Sequence, residues 1–353
     1  MKKKLLIIEN NVFGGCTDLY YWCRYLREDY DIKIVCLRAA KEQRTMDGIS
    51  LILANAKYPK LVRMIQFVWL ALWNIFWFKG KIWVMHFNHC EIFKYLLPYK
   101  QMHLDIRSLA VCQDYELRQK VNNQIKYAAN LYDTVSTISE GVARQLGNIG
   151  KPISVLPLGA DCISLAKKSY EDIHLLYVGT FTNRDLHKTI EGVSLYHKSY
   201  PDRTIVYDII GSGLNDELEQ LKALSTQLGL DSVITFHGRI PNQKLMPYFD
   251  QANVGVSFVP ITEYYQDQPP TKTFEYAMSG LFTIATATNE NKKYINSDNG
   301  ILIEDTPEEF AQAIEVVYAN RAKIDEAKIR ASLKEYTWDK IVNKRLKTIL
   351  DSM

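Results

Sequence analysis

Residues 269–280 read Pro-Pro-Thr-Lys-Thr-Phe-Glu-Tyr-Ala-Met-Ser-Gly. The two prolines fix an extended approach, and Pro270 suits the first turn of a helix, where its missing N–H is no loss. Gly280 is placed to end that helix. Lys272 and Glu275 stand one turn apart on one face, while Phe274, Ala277 and Met278 can turn to a core. Such a helix points its positive end, a lysine and a carboxylate at one neighbourhood. A sugar bound to a diphosphate suits that arrangement. The helix N-terminus and Lys272 match phosphate oxygens, and an ionised Glu275 can accept from sugar hydroxyls. Taken alone, the stretch reads equally as a surface helix with an ordinary salt bridge.

Around it the pattern is regular. Strand-like runs at 173–178, 204–210, 233–236, 254–259, 281–285 and 301–303 are separated mostly by helical stretches such as 215–228 and 242–251. That alternation predicts a parallel sheet. The first run is followed by Gly179-Thr180, Arg184 and Lys188, and the second by Gly211-Ser212-Gly213. The third is followed by Gly238-Arg239-Ile240-Pro241, and the fourth by Pro260 and the loop to Glu275. A doubly wound sheet brings these segments to one rim. Glycines there let backbone approach a ligand, and the cations suit a diphosphate.

The first half opens with an apolar run at 5–8, a loop with Gly14-Gly15 and a helical stretch at 18–27. This is the start of another doubly wound domain. It lacks the Gly-x-Gly-x-x-Gly of dinucleotide binders, so Gly14 and Gly15 read either as ligand contacts or as a plain turn. Further strands are expected at 31–36, 49–53, 81–86, 103–106, 133–138 and 153–156. Polar residues follow several of them, among them His86, Asp105 and Arg107. Asp29-Tyr30-Asp31 matches a metal-binding Asp-x-Asp only superficially. It falls between a helix and the start of a strand, and no metal site is expected.

Residues 61–78 are the second unusual stretch. The 15 residues at 64–78 are about as apolar as a membrane helix, yet they fall short of the roughly 20 needed to span. Trp69, Trp73 and Trp77 recur every four residues, flanked by Arg63, Lys79 and Lys81. The stretch reads either as a helix bedded in a membrane interface or as a buried helix packed on the sheet.

Composition sets bounds. A chain of 353 residues suggests two domains. Apolar content of 47% with 24% charged residues is that of a soluble globular protein. A net charge of +3 gives no reason to expect nucleic acid. Six cysteines without a Cys-x-x-Cys pair read as buried free thiols in a reducing compartment. The apolar run after Met-Lys-Lys-Lys is too short for a signal peptide. The expected location is therefore cytoplasmic, with a peripheral seat on the inner face of the membrane if the second stretch meets lipid.

The motif Pro-x-Lys-x-x-Glu-Tyr-x-x-x-Gly before an apolar strand resembles the donor-site helix of GT-B glycosyltransferases, specifically the retaining family four or "group 1" enzymes. The resemblance is specific in the second half and loose in the first. It implies two Rossmann-like α/β domains facing a central cleft. These would be an acceptor-side domain at 1–165, a nucleotide-sugar donor domain at 166–335, and a helix at 336–353 returning to the first. Pro157-Leu158-Gly159-Ala160-Asp161 is similar to the family's hinge. The implied reaction moves a sugar from a nucleotide-diphosphate sugar to a glycan or lipid-linked acceptor, with retention, without metal, and with no cofactor beyond that co-substrate. Arg184 and Lys272 would neutralise the leaving diphosphate, with Lys188 a further cation. Arg239 and Ile240 would lie against the base, Glu275 would hold the ribose, and His86 would sit near the transferred sugar. Asp105 and Arg107 would touch the acceptor. Asp267 stands where the family has glutamate near the donor sugar. Tyr264 and Tyr265 would stack on a sugar or simply pack the loop. A nucleotide-sugar epimerase and a non-catalytic nucleotide-sugar-binding subunit remain alternatives.

Overall fold

The computed structural model describes residues 2–40 and 42–353. The chain divides into two compact units, Met1–Gly159 with Trp338–Met353, and Ala160–Thr337. The boundary expected at 165 falls six residues earlier by this division. The bend at 333–337 also belongs to the second unit, where Thr337 bridges Ala160.

The first unit carries strands β1 (Lys3–Val12), β2 (Tyr30–Leu37), β3 (Ile49–Ala54), β4 (Lys81–Met85), β5 (His103–Ile106), β6 (Thr134–Thr137) and β7 (Ile153–Val155). Its helices are α1 (Thr17–Leu26), α2 (Lys60–Trp77), α3 (Ile92–Leu96), α4 (Tyr115–Leu131) and α5 (Glu140–Leu146). The sheet order is β3-β2-β1-β4-β5-β6-β7, and every pairing is parallel. Side-chain caps explain two of the helix starts. Asp114 accepts from Leu117 N–H at 3.0 Å and Ser139 from Val142 N–H at 3.1 Å, each satisfying an otherwise orphaned donor.

Helix α2 packs on the sheet through one face and leaves the other exposed. Only Phe67, Ala71 and Ile75 are buried. Every exposed residue between Leu61 and Trp77 is apolar, and all three tryptophans are among them. No helix among the described residues is long and apolar enough to cross a membrane.

The second unit carries β8 (Ile173–Thr180), β9 (Ile205–Ser212), β10 (Ile234–Gly238), β11 (Val254–Ser257), β12 (Phe282–Thr286) and β13 (Gly300–Ile303). Its sheet order is β10-β9-β8-β11-β12-β13, again parallel. Helices α6 (His187–Ser199), α7 (Glu217–Gln227), α8 (Met246–Gln251), α9 (Thr271–Met278), α10 (Asn291–Tyr294), α11 (Pro307–Asn320) and α12 (Glu326–Ser332) connect and follow the strands. Strands β11 and β12 are buried throughout, as a parallel sheet covered on both faces requires. In α11, Pro307 occupies the first turn and Thr306 caps Glu309 N–H at 3.2 Å.

The closing helix expected at 336–353 starts at Trp338 and is interrupted by a π-helical turn. The chain bends after α12 and restarts at Trp338 as α13 (Trp338–Ile341), passes a π-helical turn at Val342–Leu346, and ends as α14 (Lys347–Ser352). Trp338 explains the restart. Its indole is buried, stacks on Tyr21 at 5.5 Å, and occupies the space a side chain at Gly159 would need.

The cysteines also differ from expectation. Cys23, Cys36 and Cys90 are buried, but Cys16 and Cys112 are half-buried and Cys162 is exposed; all six are free thiols.

Candidate active site

In both sheets the strand order reverses once. In the second unit the reversal lies between β8 and β11, whose connections leave in opposite directions. Such a switch point is where open α/β sheets bind ligands. The structure opens it visibly. β8 pairs with β9 along its whole length, from Ile173↔Ile205 to Thr180↔Ser212. With β11 it pairs only at Leu175↔Val254 and Leu176↔Gly255. Beyond that point Tyr276 of α9 takes over, its hydroxyl accepting from Val178 N–H at 2.9 Å. The ring lies where a side chain at Gly255 would be, since an added Cβ would fall 2.3 Å from it. In the sequence Tyr276 stands out only as a fixed position of the Lys-x-x-Glu-Tyr motif, and Gly255 does not stand out at all. A glycine inside an apolar strand was the available signal for close approach of another group.

The segments expected on one rim do lie on it. After β8, a turn with Asn183 at φ 59° and Asp185 at φ 48° presents Arg184. Its guanidinium stacks on the ring of Tyr265 at 4.5 Å. Tyr265 is buried, so its role is to pack, and the loop after β11 is thereby joined to the loop after β8. Lys188 reaches Asp185 at 3.3 Å and Asp305 at 3.4 Å, and Asp305 accepts from Ile261 N–H at 3.1 Å. Lys188 is therefore neutralised by two carboxylates and ties the rim together. Arg184 has no such acidic partner among the described residues.

Helix α9 starts at the same edge. Thr273 Oγ1 lies 2.7 Å from Ser257 Oγ, at the last residue of β11, and donates to Asn291 Oδ1 at 3.1 Å. Lys272 forms an ion pair with Glu275, and Glu275 is buried. Gly280, at φ 78°, ends the helix in the left-handed conformation expected of it. Asp267 is nearly buried and accepts from Asn289 Nδ2 at 3.1 Å. Close by, burial pushes the Glu290 carboxyl up, opposed by Lys293, while the Asp267 charge adds to the rise.

Several glycines are accounted for by the protein itself. A Cβ on Gly211 would strike Gly179 O at 1.8 Å, and one on Gly213 would strike Glu217 Oε2 at 1.9 Å. That same carboxylate accepts from Leu214 N–H at 2.9 Å and Thr182 Oγ1 at 2.6 Å. Gly179 sits 3.0 Å from the Tyr177 hydroxyl by the same measure, and Thr180 O accepts from that hydroxyl at 2.6 Å. Arg239 is exposed, whereas the Ile240 side chain packs against the core under α8. Any contact of Ile240 with a base would therefore use backbone atoms.

In the first unit the outcome is mixed. His86 follows β4, its N–H donating to Asp105 O at 2.8 Å. Burial pushes its imidazole down to about 4, so the ring is neutral near pH 7. Asp105 and Arg107 do not point outward as acceptor contacts. Asp105 is fully buried and accepts from Ser136 Oγ at 2.5 Å. Arg107 pairs with Asp18 at the start of α1 and donates to Leu156 O at 2.7 Å, clamping α1 to the ends of β5 and β7. Gly14, at φ 86°, faces the Arg44 side chain, and Gly15 N–H closes a turn on Val12 O at 2.8 Å. Asp29 lies at the amino end of β2 and is paired with Lys347. No group of His, Cys, Asp and Glu placed to hold a metal occurs among the described residues.

Two doubly wound units, the second with a cationic rim at its switch point, define the class: the architecture is that of the GT-B glycosyltransferases. The second unit can be placed more narrowly. Residues 172–320 match the model of the family described as glycosyl transferases group 1, so the second unit carries a group 1 glycosyltransferase domain. Among solved structures, sucrose-phosphate synthase from Thermosynechococcus elongatus aligns with TM-score 0.80 at 16% identity, over 99% of each chain. HepE of Anabaena, in complex with UDP and glucose, aligns with TM-score 0.77 at 12% identity, over 99% of this chain and 100% of that one. The lipopolysaccharide outer core galactosyltransferase WaaB gives TM-score 0.71 at 15% identity, over 99% and 100%. No curated protein matches the chain by sequence.

Proposed function

We propose that the chain moves a sugar from a nucleotide-diphosphate sugar to a glycan or a lipid-linked acceptor, with retention at the anomeric carbon and without an essential metal. The observation that carries this reading is Arg184, a cation with no acidic partner among the described residues, held by Tyr265 on the rim of a group 1 domain. The bond from the anomeric carbon to the diphosphate breaks with its electron pair on the phosphate oxygen. A fixed guanidinium stabilises that developing charge, which is electrostatic preorganisation. Lys272 adds a second cation once the diphosphate competes with Glu275 for it, and Glu275 is then free to hold ribose hydroxyls. Arg239 and the Ile240 backbone border the base. His86, neutral near pH 7, accepts a hydrogen bond from the transferred sugar, and Asp267 serves the donor sugar with its side-chain amide partner Asn289. The protein works at the cytoplasmic face of a membrane, where a lipid-linked acceptor is presented.

HepE has been captured with UDP, with UDP and glucose, and with UDP-glucose, so uridine diphosphate is the first nucleotide to test. The test is a thermal-shift panel of nucleoside diphosphates and their sugars, followed by product analysis with the best ligand. A ligand bound only by the folded state raises the melting temperature by mass action. Failure of every nucleoside diphosphate to do so at millimolar concentration overturns the proposal.

A further inference from the structure

Helix α2 carries two stripes of apolar residues, each spaced by four. Phe67, Ala71 and Ile75 face the sheet. Trp69, Trp73 and Trp77 face away, 59%, 55% and 64% exposed. Leu61, Val62, Ile65 and Phe76 share the outer side, so this face has no exposed polar residue from Leu61 to Trp77. The rings order one another: Trp69 stacks on Trp73 at 6.0 Å, Trp73 meets Trp77 edge-on at 6.0 Å, and Phe76 meets Trp77 at 4.9 Å. The apolar surface does not stop with the helix. Lys100 Nζ donates to Phe78 O at 3.1 Å, which brings the segment after α3 against the end of α2. Next to it Tyr95 and Leu96, at the end of α3, and Tyr99, just past it, are also exposed. Water-exposed apolar surface of this extent in a folded unit marks an interaction site.

The charges around it select the partner. Residues 48–90 contain Lys57, Lys60, Arg63, Lys79 and Lys81 and no Asp or Glu. Lys57 and Lys60 precede the exposed stripe, half-buried Arg63 lies in its first turn, and Lys79 and Lys81 follow it. Past the carboxyl end of α2, a cavity of about 460 Å³ is lined by Lys3, Lys4 and Lys81 together with Asp133, and Lys3 is paired with Asp351. Tryptophan and tyrosine combine an apolar body with a polar edge and favour the headgroup boundary of a bilayer. Lysine and arginine stems lie along apolar surface while their charges stay in water.

We infer that the outer face of α2, continued over Tyr95, Leu96 and Tyr99, is a docking surface for an anionic lipid bilayer, with the helix lying in the interface plane and its flanking cations on lipid phosphates. This deepens the reading of a lipid-linked acceptor and rests on that reading only for its biological purpose. The docking itself stands or falls separately. A bilayer fits better than a protein groove because the row of large rings on α2 is flanked in sequence by cations alone, with Glu91, beside Tyr95, an acid at the margin of its continuation.

The test uses the full chain with vesicles of phosphatidylcholine alone and of an equal mixture of phosphatidylcholine and phosphatidylglycerol. Expected is co-sedimentation with the mixed vesicles, weakened by salt, and a blue shift of tryptophan emission with quenching by brominated lipid. Trp22, Trp83 and Trp338 are buried, so Trp69, Trp73 and Trp77 report the contact. The triple variant W69S/W73S/W77S should lose vesicle binding by roughly tenfold or more while keeping its melting temperature and its response to nucleotide. K79E/K81E should lose the preference for the anionic vesicle. Undiminished binding by the triple variant overturns the inference, as does absence of binding by the parent chain. So does a parent dimer that the triple variant dissociates, since the face would then be an interface between copies. A vesicle-binding chain that ignores every nucleoside diphosphate sinks the transferase reading and leaves the docking surface in place.

Discussion

Val178 N–H donates to the hydroxyl of Tyr276 at 2.9 Å, so a helix side chain takes the place of a strand in the ladder. The donor is buried, and water cannot replace the lost acceptor. Tyr276→Phe should therefore cost about 1–3 kcal/mol, the desolvation penalty of an unsatisfied amide. Gly255→Ala should cost at least as much, because the new methyl meets the Tyr276 ring and overpacking is comparably expensive. Denaturant titration measures both. Wild-type stability in Tyr276→Phe would show that the amide finds another acceptor.

Arg184 is the cleanest probe of the chemistry. It has a stacking partner but no carboxylate to orphan, so Arg184→Ala should leave the melting temperature within a few degrees of the parent. Turnover should fall roughly a hundredfold to a thousandfold, the scale of losing one preorganised charge stabiliser. Tyr265→Leu should lower turnover less, by freeing the guanidinium. Steady-state kinetics on both variants decides. Equal loss of stability and activity in Arg184→Ala would falsify the assignment.

Lys272 behaves differently, because its partner is buried. Lys272→Ala leaves the Glu275 carboxylate without its cation, and an unpaired buried charge destabilises by about 1–3 kcal/mol or more. Activity and stability should thus fall together. The double variant K272M/E275Q removes both charges and should recover much of the stability while staying inactive. Recovery of turnover in the double variant would remove Lys272 from the diphosphate site.

What the sequence revealed follows the periodicities. The second unit alternates strand and helix so regularly that all six strands were placed, and parallel order then put Gly179, Gly211, Gly238 and Pro260 on one rim. The outward face of α2 was not legible for a physical reason. Its residues are mostly apolar, with only Lys60, Arg63, Gln66 and Asn74 to break the pattern, and two stripes spaced by four fit a helix equally well. Ala71, small enough for close approach between Phe67 and Ile75, turns out to mark the inner one. Asp105 and Arg107 misled because polar residues after strand ends face either a ligand or each other. Here Arg107 finds Asp18, which is 89 residues away in the chain, and no local pattern encodes that pairing. The bend before Trp338 escaped notice because the indole's burial place at Gly159 is equally remote.

The same first unit predicts an unusual pH dependence. Glu9 is buried near the end of β1, and burial, with the Asp105 and Asp18 charges, pushes its carboxyl up to about 7. Burial likewise pushes Asp105 up to about 6, although the Arg107 guanidinium and Ser136 oppose the rise. Both groups hold protons more tightly folded than unfolded. Their stabilisation is complete below pH about 4 and is lost as pH rises through 6 and 7. His86, pushed down to about 4, contributes in the opposite sense and is lost as pH falls. The neutral isostere Glu9→Gln removes one of the two carboxyl contributions and leaves His86 in place. Relative to the parent, the variant should gain stability on the order of 2 kcal/mol between pH 5 and pH 8. Denaturant midpoints at the two pH values measure the difference, and parallel pH profiles for parent and variant would show that Glu9 is ionised in the fold.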